Sequence, residues 1–160
     1  MEVSTILKPT SVRCEARVSS KKHALDILSE MLADAADGPT ATEILEGLVN
    51  RERLGSTGLG GSVAMPHTRQ PGVDVTVSSL LKLDEPIEFD APDGKPVDVL
   101  FGVLVPEDSD PSEVQRIIAL VKQLRRPDLQ RELHAVTEPR GVYDLLVDRL
   151  NAANNATIHD

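Results

Sequence analysis

Arg51, a glycine-rich run and His67 share one stretch of this chain: Arg51-Glu-Arg53-Leu, then Gly55-Ser-Thr-Gly58-Leu-Gly60-Gly61-Ser62, then Val-Ala-Met-Pro66-His67. Each residue type suits an anion in its own way. Gly, Ser and Thr let backbone N–H groups approach an anion closely. Arginine offers a planar, permanently charged fork for phosphate oxygens. Imidazole is a base near neutral pH, and its nitrogen can carry a phosphoryl group. The pattern points to phosphoryl chemistry at His67, with Arg51 neutralising charge. Ser56, Thr57, Gly58, Gly60, Gly61 and Ser62 are the candidate phosphate contacts. The residues alone leave a second reading open, in which His67 ends a strand and its ring is hydrogen-bonded for structural reasons.

Other chemistries fit the same stretch poorly. A Walker loop needs Gly-Lys followed by Ser or Thr, and no lysine occurs between Lys22 and Lys82. A dinucleotide fingerprint runs strand, glycines, helix, whereas here a helical pattern precedes the glycines and a strand follows. A serine nucleophile elbow is also a strand-to-helix turn, in a much larger fold. The remaining histidines are weaker candidates. His23 lies near a helix start beside two lysines, His134 closes a helix where a cation suits the dipole, and His159 is in the tail.

The elements that must position these residues follow from periodicity. Val12, Cys14, Ala16 and Val18 alternate with polar residues and predict a strand over 12–18. Ser19 and Ser20 can cap a helix carrying Leu25, Ile27, Leu28, Met31, Leu32 and Ala35, broken by Gly38-Pro39. Thr40-x-x-Glu43 reads as a capping box, and Gly55 as the stop of that second helix, which puts Arg51 on its last turn. Strands are expected at 73–83 and 87–89. A central strand, buried on both faces, is expected at 96–105. Helical stripes over 114–124, from Pro127, and over 142–150 close the chain. Residues 1–150 then form one domain, an α/β fold whose mixed central sheet is covered by helices on two sides, and 151–160 a polar, flexible tail.

Composition excludes several partners. The net charge of −9 is wrong for a phosphate-backbone ligand, and the few aromatics (Phe89, Phe101 and Tyr143) provide no base-stacking platform. No apolar run is long enough for a membrane span or a secretory signal, so a cytoplasmic location is expected. The single cysteine, Cys14, makes neither an internal disulfide nor a structural zinc site.

The ordered motifs resemble the IIA domain of the fructose/mannitol class of the bacterial phosphotransferase system (EIIA type 2), in its nitrogen-regulatory branch. They run from Arg51 through Pro66-His67, Leu83-Asp-Glu-Pro86-Ile-Glu-Phe89-Asp90 and Asp93-Gly-Lys-Pro96-Val-Asp-Val-Leu-Phe101 to Leu104-Val-Pro106, with Ser19-Ser-Lys-Lys-His-Ala-Leu upstream. The resemblance spans about residues 4–149. It implies a three-layer α/β/α sandwich and no metal or organic cofactor. It also implies that His67 accepts a phosphoryl group from the phosphohistidine of an HPr-like carrier (NPr). The loaded state would then control targets such as potassium-transport proteins or sensor kinases. Two other functions remain beside it: a protein-binding module of the same fold that is never phosphorylated, and a sugar-specific IIA that donates to a separate IIB.

Two expectations concern the surroundings of His67. The family places a second histidine near the start of the helix after the Val-Pro strand end, and counting from Pro106 puts Glu113 there. A carboxylate facing the phosphorylated ring would repel it by about 4 kcal/mol per unit pair at 4 Å and an effective dielectric of 20. Leu59, Val63 and Met65 are candidates for an apolar rim where a carrier docks.

Overall fold

The computed structural model describes residues 1–15 and 17–159, with side chains through Leu150. Its elements are β1 (Val12–Glu15), α1 (Lys21–Ala35), α2 (Ala41–Arg53), β2 (Gly58–Gly60), β3 (Val63–Ala64), β4 (His67–Gln70), β5 (Val77–Ile87), β6 (Val97–Pro106), α3 (Pro111–Lys122), α4 (Pro127–Ala135) and α5 (Pro139–His159). One mixed sheet runs β1-β5-β6-β3-β2, with β4 also on β6. β1 is parallel to β5, β5 antiparallel to β6, and both β3 and β4 parallel to β6.

β6 is the hub, and its alternation explains the layers. Val99, Phe101, Val103 and Val105 face a core shared with α3, α4 and α5. Leu100 and Leu104 face the cores under α1 and α2. All nine residues from Val97 to Val105 are buried, as a near-continuous apolar run demands. The expected three-layer α/β fold is what forms.

The helix starts follow their capping signals. Ser20 accepts from the His23 N–H at 3.1 Å. Thr40 and Glu43 exchange both bonds of a capping box at 3.2 and 3.1 Å. Asp110 caps α3 through Ser112 N–H at 2.9 Å.

Strand bounds differ from expectation where packing overrides alternation. β5 begins at Val77, the first residue with a partner on β6, because Val73 packs into the α1–α2 core from a loop and Val75 is exposed. Ile87 belongs to the end of β5, paired with Val97, so 87–89 is no separate strand. β1 stops at Glu15, and Ala16 lies outside the described residues. α5 carries the helix through the expected tail to His159, with Asp160 and the side chains beyond Leu150 outside the described residues.

Candidate functional site

The sequence read as a single strand ending in Pro-His is two short strands in one register. Val63 pairs with Val99 and Ala64 with Leu100 on one side of the break, and His67 pairs with Val103 on the other. Pro66 interrupts the ladder because it has no N–H, yet its carbonyl still accepts from Val103 N–H at 2.9 Å. His67 is thus pinned to the central strand at the first ladder position after the break.

α2 brings Arg51 to it. Gly47 lets this helix lie close on β4, since a Cβ there would stand 3.0 Å from Thr68 Oγ1. Arg51 is one turn further along the same helix face. Its Nη1 donates to the Gly55 carbonyl at 2.9 Å, which orients the guanidinium over the turn. Arg51 and His67 line one cavity of about 610 Å³. Its other walls include Asn50, Thr68, Arg69, Gln115 and the apolar Leu54, Val105 and Val114.

The imidazole has a fixed orientation. His67 Nδ1 lies 2.8 Å from the Met65 carbonyl oxygen, so Nδ1 carries the proton and donates it, and Nε2 keeps its lone pair. Burial lowers the ring's affinity for a second proton below the ordinary value of 6.5. The Met65 contact opposes that fall, the Arg51 charge adds to it, and the Glu52 charge opposes it. A half-buried, neutral imidazole with one free nitrogen beside an arginine can act as a nucleophile toward an anionic electrophile.

The glycine-rich run is a hairpin rather than an open anion loop. β2 and β3 pair antiparallel across Gly61-Ser62, whose φ values of 60 and 69 fit a two-residue turn with both central residues left-handed. Several of its polar groups are occupied. Ser56 Oγ donates to the Phe89 carbonyl at 2.8 Å and accepts from Gly58 N–H at 3.1 Å. The Thr57 N–H and hydroxyl donate to Glu52. Gly61 N–H donates to Asp93 at 3.0 Å. Of the residues expected to hold phosphate, the structure brings Arg51 to His67; Ser56, Thr57, Gly58, Gly60, Gly61 and Ser62 are not among the cavity walls.

Two further placements depart from expectation. Glu113 is not a wall of the cavity, and its carboxylate accepts from Thr76 Oγ1 at 3.0 Å, while Gln115 of the same helix does line it. Val63 and Met65 are fully buried core residues, which corrects their reading as a docking rim. Leu59 is half-buried against the same core. The exposed apolar side chain beside the cavity is Leu54, 84% accessible, where α2 gives way to the turn. Sequence reasoning also missed Arg69, although it follows His67 by two positions on the same strand face. Its Nη1 donates to the Glu107 and Ser109 carbonyls at 3.2 and 2.6 Å.

A mixed-sheet α/β/α domain presenting one imidazole and an arginine at the end of a broken parallel strand defines the class of protein. A model of the family described as phosphoenolpyruvate-dependent sugar phosphotransferase system, EIIA 2, matches residues 5–148, and the chain belongs to that family. The nitrogen regulatory protein of Pseudomonas aeruginosa is 35% identical over 151 residues, 94% of this chain and 98% of its own length. That of Escherichia coli K12 is 32% identical over 149 residues, 92% of this chain and 91% of its own. The crystal structure of the nitrogen regulatory protein IIA-Ntr from Neisseria meningitidis superposes with a TM-score of 0.82 at 32% identity, covering 90% of this chain and 98% of that one. The mannitol IIA of Escherichia coli, at 19% identity and a TM-score of 0.70, shares the fold. No helix among the described residues is long and apolar enough to cross a membrane.

Proposed function

We propose that this chain is a phosphocarrier of the nitrogen-regulatory branch, with His67 as the acceptor and the loaded state read by partner proteins. The observation that carries the reading is the His67 Nδ1 contact with Met65, which leaves Nε2 free in a cavity that also holds Arg51. The donor is the phosphohistidine of an HPr-like carrier (NPr). The Nε2 lone pair forms the new N–P bond as the donor's N–P bond breaks, and that electron pair stays with the donor imidazole. The proton stays on Nδ1 throughout, hydrogen-bonded to the Met65 carbonyl. Positioning and charge neutralisation supply the catalysis. Arg51 offsets the roughly −1.5 to −2 charge that arrives on the ring. Glu113 is not a wall of the cavity and its carboxylate accepts from Thr76 Oγ1, which supports a weaker repulsion than a carboxylate facing the ring would give.

Intact-mass spectrometry at mildly alkaline pH tests this. The protein is incubated with phosphoenolpyruvate, an enzyme I and an HPr-like carrier, beside His67→Ala. One added phosphate on the wild type and none on His67→Ala is the expected result. No added mass on the wild type would turn the reading to a binding module of the same fold. Onward passage of the phosphate to a IIB and then a sugar would turn it to a transport component.

A further inference from the structure

We infer that Glu52 is a positioning residue for His67, acting through Thr57 and Met65; the inference rests on the proposed role of His67 as acceptor. Glu52 follows Arg51 on the last turn of α2, and its side chain is 7% exposed. Every contact of this carboxylate comes from a donor. Lys21 Nζ lies 2.9 Å from Oε2, Thr57 N–H donates at 3.2 and 3.3 Å, and the Thr57 hydroxyl donates to Oε1. Lys21 is itself seated on β5's exit, with Nζ 3.3 Å from the Phe89 carbonyl and 4.4 Å from the Phe89 ring centre.

From Thr57 the connection continues without a gap. The Thr57 carbonyl accepts from Met65 N–H at 3.0 Å, and the Met65 carbonyl stands 2.8 Å from His67 Nδ1. Thr57 is 4% and Met65 1% exposed, so water does not substitute for either link. The carbonyl that selects the ring's tautomer is therefore held in place by a residue gripped by Glu52. The same helix turn also sets the guanidinium of Arg51. The last turn of α2 thus carries both the cation that meets the incoming phosphoryl group and the carboxylate that holds the carbonyl orienting the receiving ring.

A buried ion pair is a poor device for stability alone, because apolar residues of similar size serve as well once desolvation is counted. What a carboxylate with several donors adds is geometry. It fixes Thr57, and hence the Met65 carbonyl, in one direction. The Glu52 charge also favours the protonated His67 ring, against Arg51.

The test combines imidazole nitrogen NMR with single-turnover transfer from a phosphorylated HPr-like carrier, on the full chain. In Glu52→Ala the population of the Nδ1-protonated tautomer falls. The maximal transfer rate drops by about 10- to 100-fold, as small misplacements of a reacting group do, and the half-saturating carrier concentration stays unchanged. Glu52→Gln retains an acceptor, restores most of the tautomer, and titrates at lower pH than wild type. Wild-type tautomer and rate in Glu52→Ala would overturn the inference. Should Glu52→Ala fail to fold, Thr57→Val and Lys21→Met decide it: a shift in the same direction supports it, and an unchanged tautomer in both overturns it. If wild-type His67 takes no phosphate, the proposed function fails while the tautomer measurement still judges Glu52.

Discussion

His67 and Met65 are two residues apart on a broken strand, and the ring of the first donates back to the carbonyl of the second at 2.8 Å. A side chain that leans back on its own backbone needs no bound ligand to choose its tautomer. The ring is therefore oriented in the free protein, and four measurements follow from this geometry and from the packing around it.

Proton binding at His67 makes folding pH-dependent with a definite sign. Its folded value lies below the unfolded 6.5, so between the two values the unfolded chain holds more protons. The contribution to stability is complete above 6.5 and is lost as the pH falls through the folded value. Urea unfolding at a series of pH values between about 5 and 8 should show this loss in wild type and a flatter profile in His67→Gln.

Arg51→Met removes the cation beside the acceptor. Phosphoryl transfer to His67 should slow by about 10²-fold, the scale for removing one preorganised donor from a charge-developing site. The His67 ring should then titrate higher, since the Arg51 charge opposes its protonation. Rapid-quench transfer and NMR titration read the two effects separately.

Gly58→Ala tests how tightly the hairpin packs. A Cβ at Gly58 would lie 2.8 Å from the Ala91 Cβ and 2.9 Å from its Cα, and backbone cannot swing aside as a long side chain can. Overpacking of this kind costs about 1–3 kcal/mol. Chemical denaturation should show the loss, with the midpoint shifted and the slope unchanged.

His134→Ala should destabilise the domain by about 1–3 kcal/mol, the cost of stripping a buried polar group of its partner. His134 Nε2 sits 2.9 Å from Asp98 Oδ2, and Asp98 Oδ1 is buried without a hydrogen-bond partner among the described residues. His134→Gln, which keeps a donor, should recover part of the loss in the same denaturation series.

That last pair shows where the sequence stops being legible. Simple alternation from Val99 along β6 puts Asp98 on the α1–α2 side. Instead Asp98 N–H and Val99 N–H both donate to the Ser62 carbonyl, at 3.0 and 3.2 Å, a bulge that turns Asp98 toward α4. Nothing in the local residue types announces that shift. The layers, by contrast, were readable, because Val97–Val105 admits no solvent-facing side. The capping residues were readable too, since Ser20, Thr40 and Glu43 act within their own helix turn.

The candidate site divides along the same line. Arg51 was found because Gly55 ends its helix and fixes which turn it occupies. In the sequence the glycine run has the composition of an anion loop; composition shows that backbone can approach a ligand, but not whether its N–H groups are already taken. Glu52 and Asp93 take those of Thr57 and Gly61, from positions five residues before and thirty-two after. Gln115 in place of Glu113 is a matter of helix phase, which counting from Pro106 does not supply.

The strand that carries His67 keeps one register on β6 on both sides of Pro66, and under the proposed role this limits how a phosphoryl group there could be read. A group gained or lost at Nε2 has no slack backbone on which to act, because the mount is stitched to the most buried strand of the sheet. The outline of the surface around it would be the same full or empty. A partner that tells the two apart must do so by sensing potential at the mouth of the cavity, and its discrimination should fade as ionic strength rises.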